Sequence, residues 1–538
     1  MGSPEKDYLH KGWMAAAALI AVLVAVSFIP PQSLGGVKLR RANILSDLID
    51  FGDAEATAEA AEPQLFDEEE FHVDMEEVIS RIEADSTPRE APASFEWDLR
   101  RDTLPLRPRR PDTVRLLPEL TPIEDFDTTG TGIRAFCDTL LHAPRPVRIA
   151  FLGDSFVEGD ILTADLREKL QAAYGGGGTG FAPMASPLTG FRRTVHTESK
   201  GWTTYNIMQR KKAPEGLRDH FFVSGWVSQP AAGASTRWGH TDTRWENTDA
   251  RARLDSCTGA RLLFRSPGES RIEVTLNDTL RRTFDIPADE AVRQIVIRAP
   301  HIHALTCRVL TPGEGFIGYG GIFEGDGVVV DNYSVRSNNG QAMFWTDPAV
   351  NARIDALAGY DLVILQYGLN IMQAGVHNYT GYSQQIEKMV DFVRRCFPGA
   401  AVLVLGVSDR SVKNDGRFEP MDALPHMTES QRRAARNTGA AFWPTCNAMR
   451  AQGGMERFVQ NGWAGKDYTH INYAGGSRVA WALVDALNAL TAEVAARKRA
   501  EEVRREAAVP ILSPRQRARI DRMLLPDTPG KNLNDPRS

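Results

Sequence analysis

The motif Gly153-Asp154-Ser155 places a serine where its side chain can act as a nucleophile. It directly follows residues 147–152 (VRIAFL), a continuous apolar run of buried-strand length, and residues 158–173 then show helical spacing of apolar side chains. Free backbone N–H groups at a helix N-terminus favour negative charge, which suits attack on a carbonyl carbon. The same residues are also common in a helix cap, so this assignment depends on partners elsewhere in the chain.

A serine nucleophile needs a general base and an acid that orients the base. The segment Asp467-Tyr468-Thr469-His470 provides both types within four residues, at the junction between a loop and the last predicted helix. An Asp three residues before a His can lie on the same side of that junction and hold one imidazole nitrogen. On its own, the pattern is equally typical of a capping aspartate beside a surface histidine.

Two further loops offer hydrogen-bond donors for an oxyanion. Asn370 follows the apolar run 361–366, and Gly340 follows the run 328–335. Either could also be an ordinary turn residue, because Asn and Gly are frequent in turns. The combination is more informative, because all these residues follow predicted strands.

Apolar strands alternate with helices through much of the chain, which predicts an α/β fold with a parallel sheet covered on both faces. Ligands bind at the carboxyl ends of such strands, so the candidate residues should meet at one edge. The predicted strands are 147–152, 328–335, 361–366, 401–407 and 440–443, and the predicted helices are 132–143, 158–173, 382–396, 429–438 and 472–495.

Residues 190–326 interrupt this alternation with short β-rich segments separated by turn residues, which predicts an inserted β-sandwich. Its tryptophans Trp226, Trp238 and Trp245 are either core residues or a platform for a sugar ring. Of the five cysteines, Cys257 and Cys307 lie in this insert and could pair in an oxidising compartment. The predicted strands are 260–266, 271–277, 292–298 and 304–310.

Taken in chain order, Ser155, Gly340, Asn370 and the Asp467…His470 pair resemble the four sequence blocks of the SGNH (GDSL) hydrolases. The strings GDSFVEGDILTADLR, FWPTCNAM and DYTHINYAGG further resemble a bacterial, exported branch of that family, similar in plan to the peptidoglycan O-acetylesterases. The resemblance covers residues 121–495 without most of the insert. One departure is Ile371, which stands where the family usually has Asp.

The resemblance implies a three-layer α/β/α domain in two pieces, residues 121–189 and 327–496. It also implies a Ser155–His470–Asp467 triad and an oxyanion hole formed by Ser155, Gly340 and Asn370. In that family Asp154 is structural rather than the acid of the triad. The chemistry requires no cofactor and no metal.

Other enzyme classes lack their motifs. The sequence contains neither G-x-S-x-G nor H-E-x-x-H, and the G-x-G-x-x-G match that begins at Gly313 is followed by a strand rather than a helix. The formal net charge is −6, and no basic stripe accompanies spaced aromatic residues, so we expect no nucleic-acid partner.

The N-terminal part has a different composition. Residues 1–12 form a short tail, and the uncharged stretch from Trp13 to Ile29 predicts a transmembrane signal anchor over residues 13–30. Residues 31–120, first acidic and then Arg/Pro-rich, predict a disordered stalk. Residues 497–538 predict a charged tail. Basic residues flank the anchor on both sides, so charge does not fix its orientation, and the function implied above favours a periplasmic enzyme on the inner membrane.

Three functions fit these features. The first is an esterase that removes O-acetyl or other acyl groups from peptidoglycan or another extracellular polysaccharide. The second is a polysaccharide O-acetyltransferase that uses the same triad beside a membrane-bound O-acyltransferase. The third is a non-catalytic binding protein of the cell envelope.

Overall fold

The structure is a computed structural model, and the chain divides into two compact units, Met1–Gln64 and Leu65–Ser538. The first unit contains an antiparallel pair of strands, β1 (Ser33–Leu34) and β2 (Val37–Lys38). The predicted anchor and residues 509–538 lie outside the described residues. The structure describes residues 33–34, 37–38, 94–100, 120–186, 192–239, 257–414 and 417–508.

The described part of the second unit contains eighteen strands and nine α-helices. The strands are β3 (Ser94–Asp98), β4 (Glu124–Asp125), β5 (Val147–Gly153), β6 (Gly180–Pro183), β7 (His196–Asn206), β8 (Trp226–Gly239), β9 (Gly259–Ser266), β10 (Ser270–Leu276), β11 (Leu280–Ile286), β12 (Asp289–Arg298), β13 (Ala304–Thr311), β14 (Ile317–Glu324), β15 (Val328–Ser334), β16 (Leu362–Gln366), β17 (Ala401–Leu405), β18 (Ser411–Asn414), β19 (Arg417–Pro420) and β20 (Ala441–Trp443). The helices are α1 (Ile133–His142), α2 (Thr163–Tyr174), α3 (Glu215–Arg218), α4 (Pro348–Ala358), α5 (Thr380–Cys396), α6 (Leu424–Thr438), α7 (Thr445–Ala451), α8 (Gly454–Gln460) and α9 (Tyr473–Ala508).

A six-stranded sheet in the order β15-β5-β16-β17-β20-β4 forms the centre of the α/β part. Every pairing is parallel except the one between β20 and the edge strand β4. Helices α1 and α2 contact the sheet and are both contacted by α9, and α4, α5 and α6 form a second group that also contacts the sheet. The predicted α/β fold with a parallel sheet is confirmed, and all five predicted strands are present.

The predicted helix 158–173 begins later than its apolar spacing suggested. Gly159 and Asp160 have φ of 63° and 68°, which interrupts an α-helix, and residues Glu158–Asp160 form a short 3-10 turn instead. Asp160 is fully buried and bonded to Arg167, Arg192 and Thr194. These long-range contacts hold a backbone conformation that periodicity cannot reveal.

A second sheet of ten strands contains the four β segments predicted in the insert. Its main order is β11-β10-β13-β8-β14-β9-β12-β3, with β6 added on β14 and β7 on β8. Apolar side chains from both ends of this order share one core, so the sheet wraps around it. Trp238 is fully buried in this core, and its indole donates to Pro183 O at 3.2 Å.

The β module begins earlier than the predicted boundary at residue 190 and includes part of the predicted stalk. Strand β6 precedes that boundary, and β3 lies within residues 31–120. Phe95 and Trp97 of β3 face the module core, and β3 pairs in parallel with β12. Residues 94–98 are therefore ordered because their alternating aromatic residues complete a sheet edge, which an acidic composition conceals.

The β module shares a hydrophobic core with the α/β part instead of burying its own apolar residues alone. Leu263, Ile317 and Tyr319 of the module belong to the same buried cluster as the central sheet. A buried ion pair crosses the boundary, because Arg148 of β5 contacts Glu324 of β14, which Arg261 also contacts at 3.1 Å. This pairing fixes the module against the sheet.

All five cysteines are buried and free, so Cys257 and Cys307, which the sequence left as a possible pair, form no disulfide in the structure. Cys257 Sγ instead contacts Gly259 O at 3.3 Å. Burial raises the pKa of both thiols to about 12. Both therefore stay protonated at neutral pH and behave as small apolar core residues.

Helix α9 extends to Ala508, beyond the predicted end at residue 495. Its segment Tyr473–Arg505 is long and apolar enough to cross a membrane by length and composition, and half of its most apolar window is buried inside the protein. Because α9 packs on α1, α2 and α7, its apolar face belongs to the core.

Candidate active site

The parallel register brings three of the candidate loops to one edge. Gly153 pairs with Ser334 of β15 and with Gln366 of β16, so these three strands end at the same level. Asp154-Ser155, the loop to Gly340 and the loop to Asn370 therefore leave the sheet side by side. The sequence predicted this arrangement from strand ends alone, and the structure confirms the common edge.

Ser155 lies in a tight turn directly after β5 and is partly buried. Gly153, at the start of this turn, packs tightly against Val157 and Gln366. A Cβ atom on Gly153 would lie 2.5 Å from Val157 Cγ2 and 3.1 Å from Gln366 Oε1. A side chain at this position would push the turn away from the sheet. Gly153 therefore permits the close approach that positions Ser155 at the strand ends.

Asp154 is a fully buried carboxylate that braces the turn. Its Oδ1 accepts from the Phe156 N–H at 2.9 Å, and its Oδ2 accepts from Asn370 Nδ2 at 3.2 Å. Burial raises the pKa of Asp154 to about 7, although the Phe156 N–H and the charge of His470 act in the opposite direction. Asp154 thus links the candidate nucleophile turn to the Asn370 loop, as expected for a structural residue.

Asp467 and His470 form a hydrogen-bonded pair. Asp467 Oδ2 lies 2.7 Å from His470 Nδ1, and Asp467 Oδ1 accepts from the backbone N–H groups of Thr469 and His470 at 3.1 Å. Burial opposes ionisation of Asp467, but these hydrogen bonds outweigh it and lower the pKa of the carboxyl to about 2. The carboxylate is therefore ionised at neutral pH, and the imidazole Nε2 is left for another partner.

The start of α9 brings this pair to the nucleophile turn. Tyr473 Oη donates to Gly159 O at 3.1 Å, and a Cβ atom on Gly476 would collide with the backbone carbonyl of Ile161. Glycine at position 476 is therefore what lets α9 approach the segment after Ser155. The charge of His470 also acts on Asp154, the residue next to Ser155. In the structure, Ser155 Oγ and His470 do not form a hydrogen bond, a common feature of triads without substrate.

The loop of Asp467 and His470 has an unusual backbone that a neighbouring hairpin supports. Tyr468 has a φ of 52°, and its carbonyl accepts from the Ser411 N–H at 3.1 Å. The ring of Phe418, on the paired strand β19, stacks on Tyr468 at 3.5 Å between centroids. The sequence did not predict this hairpin, because it is stabilised by contacts with a loop fifty residues further along the chain.

The two remaining oxyanion candidates already have acceptors. The Gly340 N–H donates to Asn338 Oδ1 at 2.9 Å, and Asn370 Nδ2 donates to both Asn338 O and Asp154 Oδ2. The Ser155 N–H has no acceptor among the described residues. Asn338, which sequence reasoning missed, thus organises both candidate donors. Within the described ranges, no group of three or more His, Cys, Asp or Glu residues is arranged to hold a metal.

One solved structure agrees with this architecture. A solved structure of a peptidoglycan O-acetylesterase aligns with 69% of this chain and 99% of its own, with a TM-score of 0.55 and 22% sequence identity. A family two carbohydrate esterase from Cellvibrio japonicus aligns with 55% of this chain and 98% of its own, with a TM-score of 0.23 and 9% identity. No family model and no curated protein matches the chain.

The predicted resemblance to the SGNH hydrolases is confirmed at the level of the fold. More particularly, the chain is similar in fold to the peptidoglycan O-acetylesterase over nearly the whole length of that protein.

The Asp467–His470 pair has a matched control elsewhere in the chain. Asp138 and His142 form the same Asp–His contact through Nδ1, at 2.9 Å, but they lie on α1 near the opposite end of β5. If Asp467 and His470 act in catalysis because they lie near the strand ends, Asp467→Asn should lower kcat for ester hydrolysis about 100-fold or more, because the His470 imidazole loses its orienting charge. Asp138→Asn, in the pair that lies elsewhere, should leave kcat within about threefold of the wild-type value. Equal effects of the two substitutions would contradict the assignment.

Proposed function

We propose that this protein is a serine esterase that removes O-acetyl groups from a cell-wall or other extracellular polysaccharide. The observation that supports the proposal is that Ser155 follows β5 at the common strand edge while His470, held by Asp467, acts electrostatically on the adjacent Asp154, in a chain similar in fold to a peptidoglycan O-acetylesterase. The β module, which shares its core with the central sheet, would suit a polymeric substrate.

In the proposed reaction, His470 Nε2 takes the proton of Ser155 Oγ as the oxygen attacks the acetyl carbonyl carbon. The sugar oxygen then leaves with that proton, and acetyl-Ser155 remains. A water molecule, deprotonated by His470, attacks the acyl group and releases acetate. Asp467 holds Nδ1 throughout and stabilises the imidazolium that forms.

The Ser155 N–H is the oxyanion donor that needs no rearrangement, because it has no acceptor among the described residues. Gly340 and Asn370 would contribute by redirecting N–H groups that now bond Asn338 and Asp154. Asn338 accepts from Gly340 and from one N–H of Asn370, so a small shift of Asn338 would free one N–H on each residue while Asn370 stays bonded to Asp154. The proposed oxyanion hole therefore consists of Ser155, Gly340 and Asn370.

Acetate release from an O-acetylated polysaccharide, measured with the full chain, tests the proposed activity. Ser155→Ala should lower the rate at least about 1,000-fold, because the covalent intermediate cannot form. The matched control is Ser235→Ala, at a partly exposed serine of β8, which should retain wild-type activity. Acetate release by the Ser155→Ala variant within threefold of wild type would refute the nucleophile. Transfer of acetyl to an added oligosaccharide in preference to water would instead identify an acetyltransferase.

We further propose that residues 13–29 anchor the chain in the inner membrane with the catalytic part in the periplasm. Support comes from the uncharged composition of this stretch and from the location of the proposed substrate. Protease added to spheroplasts should then release a soluble, active fragment, because the acidic stalk would be exposed. Complete protection of the catalytic part, with digestion restored by detergent, would place it in the cytoplasm.

A further inference from the structure

An open cavity lies between the nucleophile turn and the β module. We propose that this cavity binds one neutral sugar unit of the polysaccharide, next to the unit that carries the ester. The inference rests on the proposed function and assigns the β module a defined part in it. Its lining includes Glu158, Phe181, Trp226 and Ser334.

The cavity adjoins the candidate active site but is separate from it. Glu158 follows Ser155 by three residues, and Ser334 is in register with Gly153, the residue before Asp154-Ser155. Neither Ser155 nor His470 belongs to the lining. A sugar bound here would therefore place the next unit of the same chain near Ser155, which raises the local concentration of the ester.

Glu158 gives the cavity an unused hydrogen-bond acceptor. The residue is only 5% exposed, and its Oε2 accepts from Arg336 Nε at 2.9 Å. Its other oxygen, Oε1, is buried without a hydrogen-bond partner. A buried acceptor left in this state is unfavourable, so a ligand that supplies an O–H or amide N–H would be bound preferentially. Sugar hydroxyl and acetamido groups are donors of this kind.

The charges around the cavity favour a neutral ligand. Arg192, the arginine in its lining, is already bonded to Asp160 Oδ2 at 2.9 Å, to Thr179 O at 2.9 Å and to Phe181 O. Its three guanidinium nitrogens are thus engaged, and the Glu158 carboxylate is already paired with Arg336. An anionic group would therefore find no unpaired cation among the lining residues and would approach the buried Glu158 carboxylate.

The opposite wall is apolar and comes from the β module. Trp226 and Ser224 stand at the start of β8, and Phe181 and Pro183 belong to β6. A few polar groups facing aromatic side chains is the usual composition of a small-molecule site, and it fits the polar edge and apolar face of a pyranose ring. Of the tryptophans considered from the sequence, Trp226 lines the cavity and Trp238 lies in the module core.

The test measures binding, so it does not depend on catalysis. The full chain with Ser155→Ala is titrated calorimetrically with chitotetraose, cellotetraose and xylotetraose, which are neutral and carry no ester. Glu158→Gln and Trp226→Phe are each added to this background. The controls are Glu290→Gln, an exposed carboxylate of the module, and Trp481→Phe, a tryptophan of α9 that is 39% exposed.

At least one tetrasaccharide should bind. Each pocket variant should raise the Kd for that tetrasaccharide at least 10-fold, while the Kd of each control variant should stay within twofold of the Ser155→Ala value. No binding up to millimolar concentration, or equal binding by pocket and control variants that unfold at the wild-type Tm, would overturn the inference. If a pocket variant fails to fold, Ser334→Thr narrows the same cavity from a partly exposed position and should weaken binding likewise. Acetate release by the wild type is measured separately, so a failed binding test would remove this inference and leave the proposed function standing.

Discussion

The common end of three parallel strands is the constraint on which the candidate site depends. Because β5 is in register with both β15 and β16, the residues that follow Gly153, Ser334 and Gln366 emerge together. Every later feature of the site uses this edge. The Asn338 loop and Asn370 meet Asp154 there, and α9 approaches the same edge through Gly476.

Two aspartates at this edge have opposite electrostatic environments, which separates their roles. Asp154 is buried, and burial raises its pKa to about 7, whereas hydrogen bonds from His470 and the backbone overcome burial at Asp467 and lower its pKa to about 2. Asp467 is half-exposed and directly bonded to the imidazole. Asp467 is therefore the carboxylate suited to orient a base, and Asp154 is suited to bracing the turn.

The spacing of apolar residues along the chain predicted the strands of the central sheet, because burial of a strand depends mainly on its own residues. Apolar runs such as residues 147–152 and 361–366 identified buried strands, and the order of strand ends indicated where Ser155, Asn370 and His470 should meet. The register that brings Ser155 close to Asn370 arises from pairing between distant segments. Because parallel strands of similar length tend to end at the same level, the strand ends in the sequence already indicate that register. Candidate residues could therefore be found from their positions after strands.

Other features depend on contacts that sequence spacing does not encode. The hairpin carrying Phe418 is ordered against Tyr468, and strand β3 is ordered because Trp97 fills the module core. The role of Asn338 as an acceptor became visible only when the structure placed its two donors, Gly340 and Asn370, beside it. The shared core of the β module likewise follows from tertiary packing, because β12 and β14 are buried on both faces along most of their length.

The central claim is that His470 activates Ser155, and covalent labelling with a fluorophosphonate probe tests it most directly. Intact mass spectrometry and peptide mapping of the full chain should show one adduct, on Ser155. The labelling rate should fall about 100-fold or more in His470→Ala and stay unchanged in His142→Ala, whose histidine forms the matched pair on α1. An adduct on another residue, or equal labelling of Ser155 in wild type and His470→Ala, would contradict the account.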